Sequence, residues 1–133
     1  MKIQTSTDYA IRILRHLHKS TSGLQSAMHI IDAIDMNGPL FSKITKRLMR
    51  DGFLCSIKGR KGGFHLAKPA TEISIYDVLI CIEGDLQTNH CPVDNSRCDG
   101  GETCNCKVYD FFNKLQHKTI THLSSLSIAD LDL

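Results

Sequence analysis

Four cysteines stand close together in the second half of the chain: Cys91, Cys98, Cys104 and Cys106 fall within sixteen residues. Thiolates are soft ligands that suit iron–sulfur clusters and zinc. The intervening residues include Pro, Asp, Asn, Ser and Gly, which favour loops and cannot build a core. We therefore predict a metal-binding or redox-active loop over residues 85–106.

Several kinds of site are compatible with these thiols. Six residues separate the first two cysteines and five separate the second from the third. An iron–sulfur cluster, a structural zinc site, a metal-free thiol–disulfide switch and idle surface thiols all fit this spacing. The regular Cys-x-x-Cys pair of a zinc site is missing, and so is the Cys-x-x-Cys beside a βαβ pattern that thiol oxidoreductases use. The remaining cysteines, Cys55 and Cys81, are predicted to be small core residues.

The composition fits a small globular domain, alone or with an appendage, because 41% of the 133 residues are apolar and 23% are charged. The longest apolar run, VLICI at 78–82, is too short to cross a membrane, and the N-terminal segment lacks a signal-peptide core. We therefore expect a cytoplasmic protein, in which reduced cysteines bind metal or act in redox chemistry. No catalytic triad, phosphate-binding loop or paired-carboxylate site appears, so we do not predict an enzyme.

Basic residues concentrate in the middle of the chain. Residues 1–84 contain 12 basic and 7 acidic residues, whereas residues 85–133 contain 4 and 7. The basic block between residues 43 and 68 includes one acid, Asp51, and eight cations: Lys43, Lys46, Arg47, Arg50, Lys58, Arg60, Lys61 and Lys68. Such a block is either a solvated face or a surface that binds a polyanion.

The apolar spacing predicts three helices in the first part of the chain. The first has a cap at Thr7 and an acid, Asp8, in its first turn. The third follows a turn at 35–38, begins at Pro39 and ends at Gly52. The predicted core-facing residues are Ala10, Ile13, Leu14 and Leu17 in the first helix, Leu24, Ala27, Met28, Ile31 and Ile34 in the second, and Phe41, Ile44 and Leu48 in the third.

A hairpin and two more helices are predicted after residue 52. The runs FLCSIK and GFHLAK flank GRKG, which predicts a β-hairpin with a basic tip. The fourth helix has a capping pair at Ser74 and Asp77 and ends at Gly84. A long last helix carries an apolar seam that needs a partner to cover it. The seam comprises Val108, Phe111, Phe112, Leu115, Ile120, Leu123 and Leu126.

A helix–turn–helix followed by a hairpin predicts a mainly α fold with a small β-hairpin wing. We expect a winged helix-turn-helix DNA-binding domain over 1–84, the cysteine-rich loop over 85–106, and a dimerisation helix and tail over 107–133. The basic block covers the third helix and the wing, which favours double-stranded DNA over a solvated face. Predicted base contacts are Ser42, Lys43, Lys46 and Arg47, and predicted phosphate contacts are Lys58, Arg60 and Lys61.

The stretch ITKRLMRDGFLCSIKGRKGGFHLAKPATEISIYDVLICIEGD, residues 44–85, resembles the signature of the Rrf-two family of bacterial winged-helix transcriptional regulators. That family includes IscR, NsrR and RirA. The matching features are a leucine-and-basic recognition helix, the paired glycines Gly62 and Gly63 before Phe64, the L-A-K-P run and the D-V-x-x-x-I-E-G run. TDYAIRIL near the start and SIADLDL at the end are also similar to the family's ends.

The resemblance implies that three cysteines of the loop hold an iron–sulfur cluster, of the 4Fe–4S or 2Fe–2S type. It also implies that the long helix forms a homodimer, which binds a palindromic operator. Cys91 and Cys98 match the first two cysteine positions, and either Cys104 or Cys106 is the third. Asp8 falls where the family's nitric-oxide sensor has an aspartate ligand that comes from the partner subunit.

Two positions depart from the family's iron–sulfur cluster regulator. The histidine ligand of that regulator is replaced by Lys107, or by Tyr109 if Cys106 is the third cysteine, and Ser42 stands where it has a glutamate that helps to select operators. The predicted function is an iron–sulfur cluster-dependent DNA-binding regulator, such as a repressor, that senses nitric oxide, redox state or iron. The alternatives are a cluster-free or zinc-containing winged-helix regulator, acting as a thiol switch or sensing a metabolite or partner protein, and a small thiol oxidoreductase.

Overall fold

The computed structural model describes residues 2–86 and 107–132, and the predicted ligands Cys91, Cys98, Cys104 and Cys106 lie outside these ranges. The described part is mainly helical with one two-stranded antiparallel sheet, which confirms the predicted fold class. The helices are α1 (Thr5–Lys19), α2 (Ala27–Ile34), α3 (Gly38–Arg50), α4 (Ile75–Glu83) and α5 (Lys107–Ser125). The strands are β1 (Leu54–Ile57) and β2 (Gly63–Leu66).

The first helix provides the centre of the core. Ala10, Ile13, Leu14 and Leu17 are all buried, as their helical spacing predicted. The prediction that Thr7 caps this helix is wrong, because the capping position is Gln4 and no side chain caps it. Thr7 is instead fully buried within the first turn.

Capping side chains begin both helices of the helix–turn–helix. The Ser26 side chain accepts a hydrogen bond from the third backbone N–H after it at the start of α2, and Asn37 does the same for α3. The third helix begins at Gly38, one residue before Pro39. The predicted core face of the second helix is partly wrong, because Met28 is 69% exposed and Ile30 is the residue that α2 buries.

In α3, the three predicted core residues Phe41, Ile44 and Leu48 are buried, so this face is confirmed. The hairpin that follows is confirmed as well: β1 pairs antiparallel with β2, and Leu54 lies opposite Leu66. The core assignment of Cys55 is wrong. Successive side chains of a strand point to opposite faces, so when Leu54 enters the core Cys55 is exposed.

The fourth helix packs against α1 and α3. Ser74 and Asp77 exchange both hydrogen bonds of a capping box at its start, as predicted. Its buried residues are Ile75, Val78, Leu79, Cys81 and Ile82, so the core position predicted for Cys81 is confirmed.

The last helix differs from the others because none of its residues is buried. After it, the chain returns to the start of α4, where the Ile75 N–H donates to the Leu126 carbonyl at 2.8 Å and the Ile128 N–H donates to the Ile73 carbonyl at 2.9 Å. A short 3₁₀ turn, Ile128–Leu131, follows. In the described part of the chain, no helix is both long and apolar enough to cross a membrane.

Candidate nucleic-acid interface

The exposed face of α3 presents polar and cationic side chains. Ser42, Lys43 and Lys46 are exposed, while the apolar residues between them face the core. Thr45 is buried, and its hydroxyl donates to the Phe41 carbonyl at 2.8 Å, so it supports the helix from within. Three of the four predicted base contacts therefore stand where a double helix can reach them.

The fourth predicted base contact, Arg47, is only partly exposed and bonds within the protein. Its Nη1 donates to the Ile82 carbonyl at 2.6 Å, near the end of α4. Carbonyls in the last turn of a helix lack a partner within that helix, so a guanidinium is well suited to bind one. Arg47 thus ties α3 to α4, a role that the sequence does not reveal because the two residues are far apart in the chain.

A buried thiol lies beside this contact. The Cys81 S–H donates to the Arg47 carbonyl at 3.5 Å. Burial, reinforced by a hydrogen bond with Asp51, raises the pKa of Cys81 to about 12. The thiol is therefore protonated at neutral pH, whereas the nucleophilic form of a cysteine is the thiolate.

The three predicted phosphate contacts, Lys58, Arg60 and Lys61, are exposed in the turn between β1 and β2. This turn requires Gly62, because a Cβ there would lie 1.9 Å from the Ile57 carbonyl oxygen. The wing is therefore a tight turn that carries three cations, which is the arrangement expected of an element that contacts phosphates.

Two contacts fix the wing relative to the helix–turn–helix. The Phe41 ring of α3 packs edge-on against the Phe64 ring of β2, with 5.4 Å between centroids. Gln25, just before α2, bonds β2 through its backbone: its N–H donates to the Phe64 carbonyl at 3.0 Å and its carbonyl accepts from the Phe64 N–H at 2.7 Å. Sequence reasoning missed Gln25, because nothing in the local pattern marks it as the edge partner of a distant strand.

The end of α4 also contacts the start of α1. The Glu83 carboxylate accepts hydrogen bonds from the Gln4 N–H and, at 3.0 Å, from the Thr7 hydroxyl. Acceptors are favourable there because the first N–H groups of a helix lack partners within the helix. Leu86, the last described residue before the cysteine segment, is buried.

Asp8 lies on the exposed side of α1, and its carboxylate accepts a hydrogen bond from Arg12 Nε at 3.0 Å. Residues 2–86 and 107–132 contain no group of three or more His, Cys, Asp or Glu side chains able to hold a metal ion. Asp8 is therefore the single predicted metal ligand that the structure places, and its assignment as a ligand stays a prediction.

The fold and the basic helix–wing surface define a winged-helix DNA-binding protein. The model of the Rrf2 family, described as an iron-dependent transcriptional regulator, matches residues 3–132. The chain therefore belongs to the Rrf2 family, the Rrf-two family of the resemblance above, whose members are transcriptional regulators.

Solved structures of this family share the fold. CymR (YrzC), the global cysteine regulator of B. subtilis, is 20% identical with a TM-score of 0.81, over 98% of this chain and 95% of that one. IscR of T. potens is 20% identical with a TM-score of 0.77, over 98% and 85%. The oxidized form of Staphylococcus aureus CymR is 20% identical with a TM-score of 0.76, over 98% and 95%.

Proposed function

We propose that this protein is a homodimeric transcriptional regulator whose affinity for a palindromic operator depends on an iron–sulfur cluster held in residues 85–106. The observation that carries the proposal is that α4, the helix leading directly into the cysteine segment, bonds the DNA-facing helix α3 through Arg47 and Ile82. A change in the cysteine segment therefore acts on an element that already positions the basic surface.

The donor set fits such a cluster. The segment contains four cysteines, which exceeds the three that the family resemblance requires, and thiolates are the usual ligands of iron–sulfur clusters. Asp8 is proposed to supply a further ligand to the partner's cluster, since carboxylates also coordinate iron. A cluster held by thiolates can respond to nitric oxide, oxidants or loss of iron.

The homodimer is proposed from the exposed apolar side of α5. Val108 and Phe111 are each 62% exposed, and Leu115 is 41% exposed. They follow one another at i, i+3 and i+7, so they share one face of the helix. A second copy of the same helix covers this apolar face and gives the dimer a two-fold symmetry that matches a palindromic operator.

The dimer is tested by sedimentation equilibrium of wild type and Phe111→Glu, with Asn113→Glu, exposed on the opposite side of the same helix, as the matched control. We expect Phe111→Glu to weaken self-association and Asn113→Glu to leave it intact. If both variants have the wild-type dissociation constant, α5 is not the dimerisation element.

The cofactor is tested by anaerobic purification followed by visible absorption and by iron and sulfide assays. We expect sulfide and iron in comparable amounts, and their loss in Cys91→Ala and Cys98→Ala. A colourless protein with stoichiometric zinc would contradict the cluster.

A cluster-free regulator is the second candidate. It is favoured by the likeness to two CymR structures, since CymR of B. subtilis is a global cysteine regulator. In that case metal-free protein binds the operator with full affinity, and its affinity responds to a thiol oxidant, a metabolite or a partner protein.

A further inference from the structure

A cleft of about 200 Å³ lies between α1 and α2. Its lining residues are Arg12, Arg15, His16 and Lys19 of α1 and Ala33 and Ile34 of α2. The four α1 residues follow the spacing of one helix face, so their side chains converge on the same space. Pockets for drug-sized molecules enclose about 300–1,000 Å³, so this cleft suits a smaller guest, such as an inorganic ion or a short organic acid.

The two arginines are oriented by bonds outside the cleft. Arg12 Nε donates to Asp8 at 3.0 Å, and Arg15 Nε donates to the Leu131 carbonyl at 3.1 Å. In the described part of the chain both bonds use Nε, which leaves the terminal nitrogens of each guanidinium to meet a ligand. These nitrogens form a planar fork that matches the oxygens of a carboxylate or a phosphate.

The third cation is held at the rim. Lys19 Nζ lies 2.9 Å from a carboxylate oxygen of Asp132, so the end of the described chain neutralises part of its charge. Asp8 and Asp132 offset two of the three positive charges of the cleft, so it keeps a net positive charge. Ala33 and Ile34 form the apolar wall of the cleft.

His16 also lines the cleft, and the His29 ring is adjacent to it, with 5.7 Å between the ring centroids. His16 Nε2 is inaccessible to solvent, so a guest in the cleft does not contact this atom. The contacts to an anion therefore come from Arg12, Arg15 and Lys19.

We propose that this cleft is a binding site for a small oxyanion, a carboxylate or a phosphate group, held by Arg12, Arg15 and Lys19. These residues lie outside the cysteine segment, so a free oxyanion bound there gives the regulator an input in addition to a cluster. The oxyanion comes either from a free metabolite or from a phosphate of the bound DNA, since the recognition chemistry is the same.

The test is equilibrium dialysis of the full-length protein against radiolabelled inorganic phosphate, at an ionic strength held constant with sodium chloride. We expect saturable binding of one phosphate per chain with a dissociation constant on the order of 1 mM. Arg15→Gln and Lys19→Gln each weaken binding about tenfold, since each removes a charge-assisted hydrogen bond. Lys114→Gln on α5 is the matched control and leaves binding unchanged. Lys19 is exposed, so its variant remains informative if Arg15→Gln fails to fold.

A DNA-binding arm distinguishes the two sources of the oxyanion. If the ligand is free, both variants bind DNA like wild type in phosphate-free buffer, and phosphate binds wild type saturably. If the ligand is a DNA phosphate, both variants lose DNA affinity and show a shallower dependence on salt than Lys114→Gln. The proposal is overturned if phosphate binding is unaffected by both substitutions. It is equally overturned if binding is not saturable and DNA affinity is unchanged in both variants.

Discussion

The Arg47→Gln substitution tests whether the Arg47 guanidinium supports the fold or reads bases. Arg47 Nη1 lies 2.6 Å from the Ile82 carbonyl, and glutamine is too short to restore this bond. Hydrogen bonds to charged groups contribute about 1.5–3 kcal/mol, and Arg and Gln have similar helix propensities. We therefore expect Arg47→Gln to lower the free energy of unfolding by about 1.5–3 kcal/mol.

The matched control is Lys46→Gln, one residue earlier on the exposed face. Surface substitutions of this kind change stability by about 0.5 kcal/mol or less, so urea denaturation should distinguish the two variants. Fluorescence anisotropy with duplex DNA gives the second readout. If Lys46 contacts a base, Lys46→Gln should lose about 1–3 kcal/mol of binding free energy. If Lys46 contacts a phosphate, the slope of log affinity against log salt concentration should fall by about one.

The opposite pattern would refute this reasoning. If Arg47→Gln denatures like wild type while it loses discrimination between operator and unrelated DNA, the guanidinium reads bases and the bond to Ile82 is unimportant. The sequence-based prediction of Arg47 as a base contact would then hold.

Two further predictions concern the wing and the buried thiol. A Cβ at Gly63 would lie 2.3 Å from the Gln25 carbonyl oxygen, so Gly63→Ala should break the two backbone hydrogen bonds there and cost about 1–3 kcal/mol. Gly38→Ala, where a Cβ meets nothing within 4 Å, is the control, and equal denaturation midpoints would contradict the packing. Alkylation of the native protein, followed by peptide mass mapping, should label exposed Cys55 readily and leave Cys81 unmodified, because its pKa is raised to about 12. Comparable labelling rates would show that the thiol is not buried.

The sequence predicted the elements well because their signals are local. The stripe of α1, the capping box at Ser74 and Asp77, and the glycines of the wing each follow from residues a few positions apart. The errors have two causes. The environments of Thr7 and Met28 are decided by distant segments, whereas Cys55 is exposed because the neighbouring Leu54 of its own strand enters the core.

The charged residues of the candidate site could be predicted from the sequence, but the hydrogen bonds that connect its elements could not. Exposed Lys43 and Lys46 follow from the polar face of α3. The bond from Arg47 to Ile82, and the pairing of Gln25 with β2, join positions that only tertiary packing brings together. Those connections support the proposed coupling, so the sequence predicts the DNA surface without showing what controls it.

The most direct test compares DNA affinity in the presence and absence of the cofactor. Duplexes would be selected separately by the anaerobically purified protein and by protein stripped of iron. The affinity of both forms for each selected duplex would be measured by fluorescence anisotropy. Native mass spectrometry would report the cluster and the dimer. The account predicts a cluster in the purified dimer and at least about a tenfold difference in affinity, which corresponds to about 1.4 kcal/mol of coupling. A dimer without iron or sulfide, or equal affinities for the two forms, would contradict it.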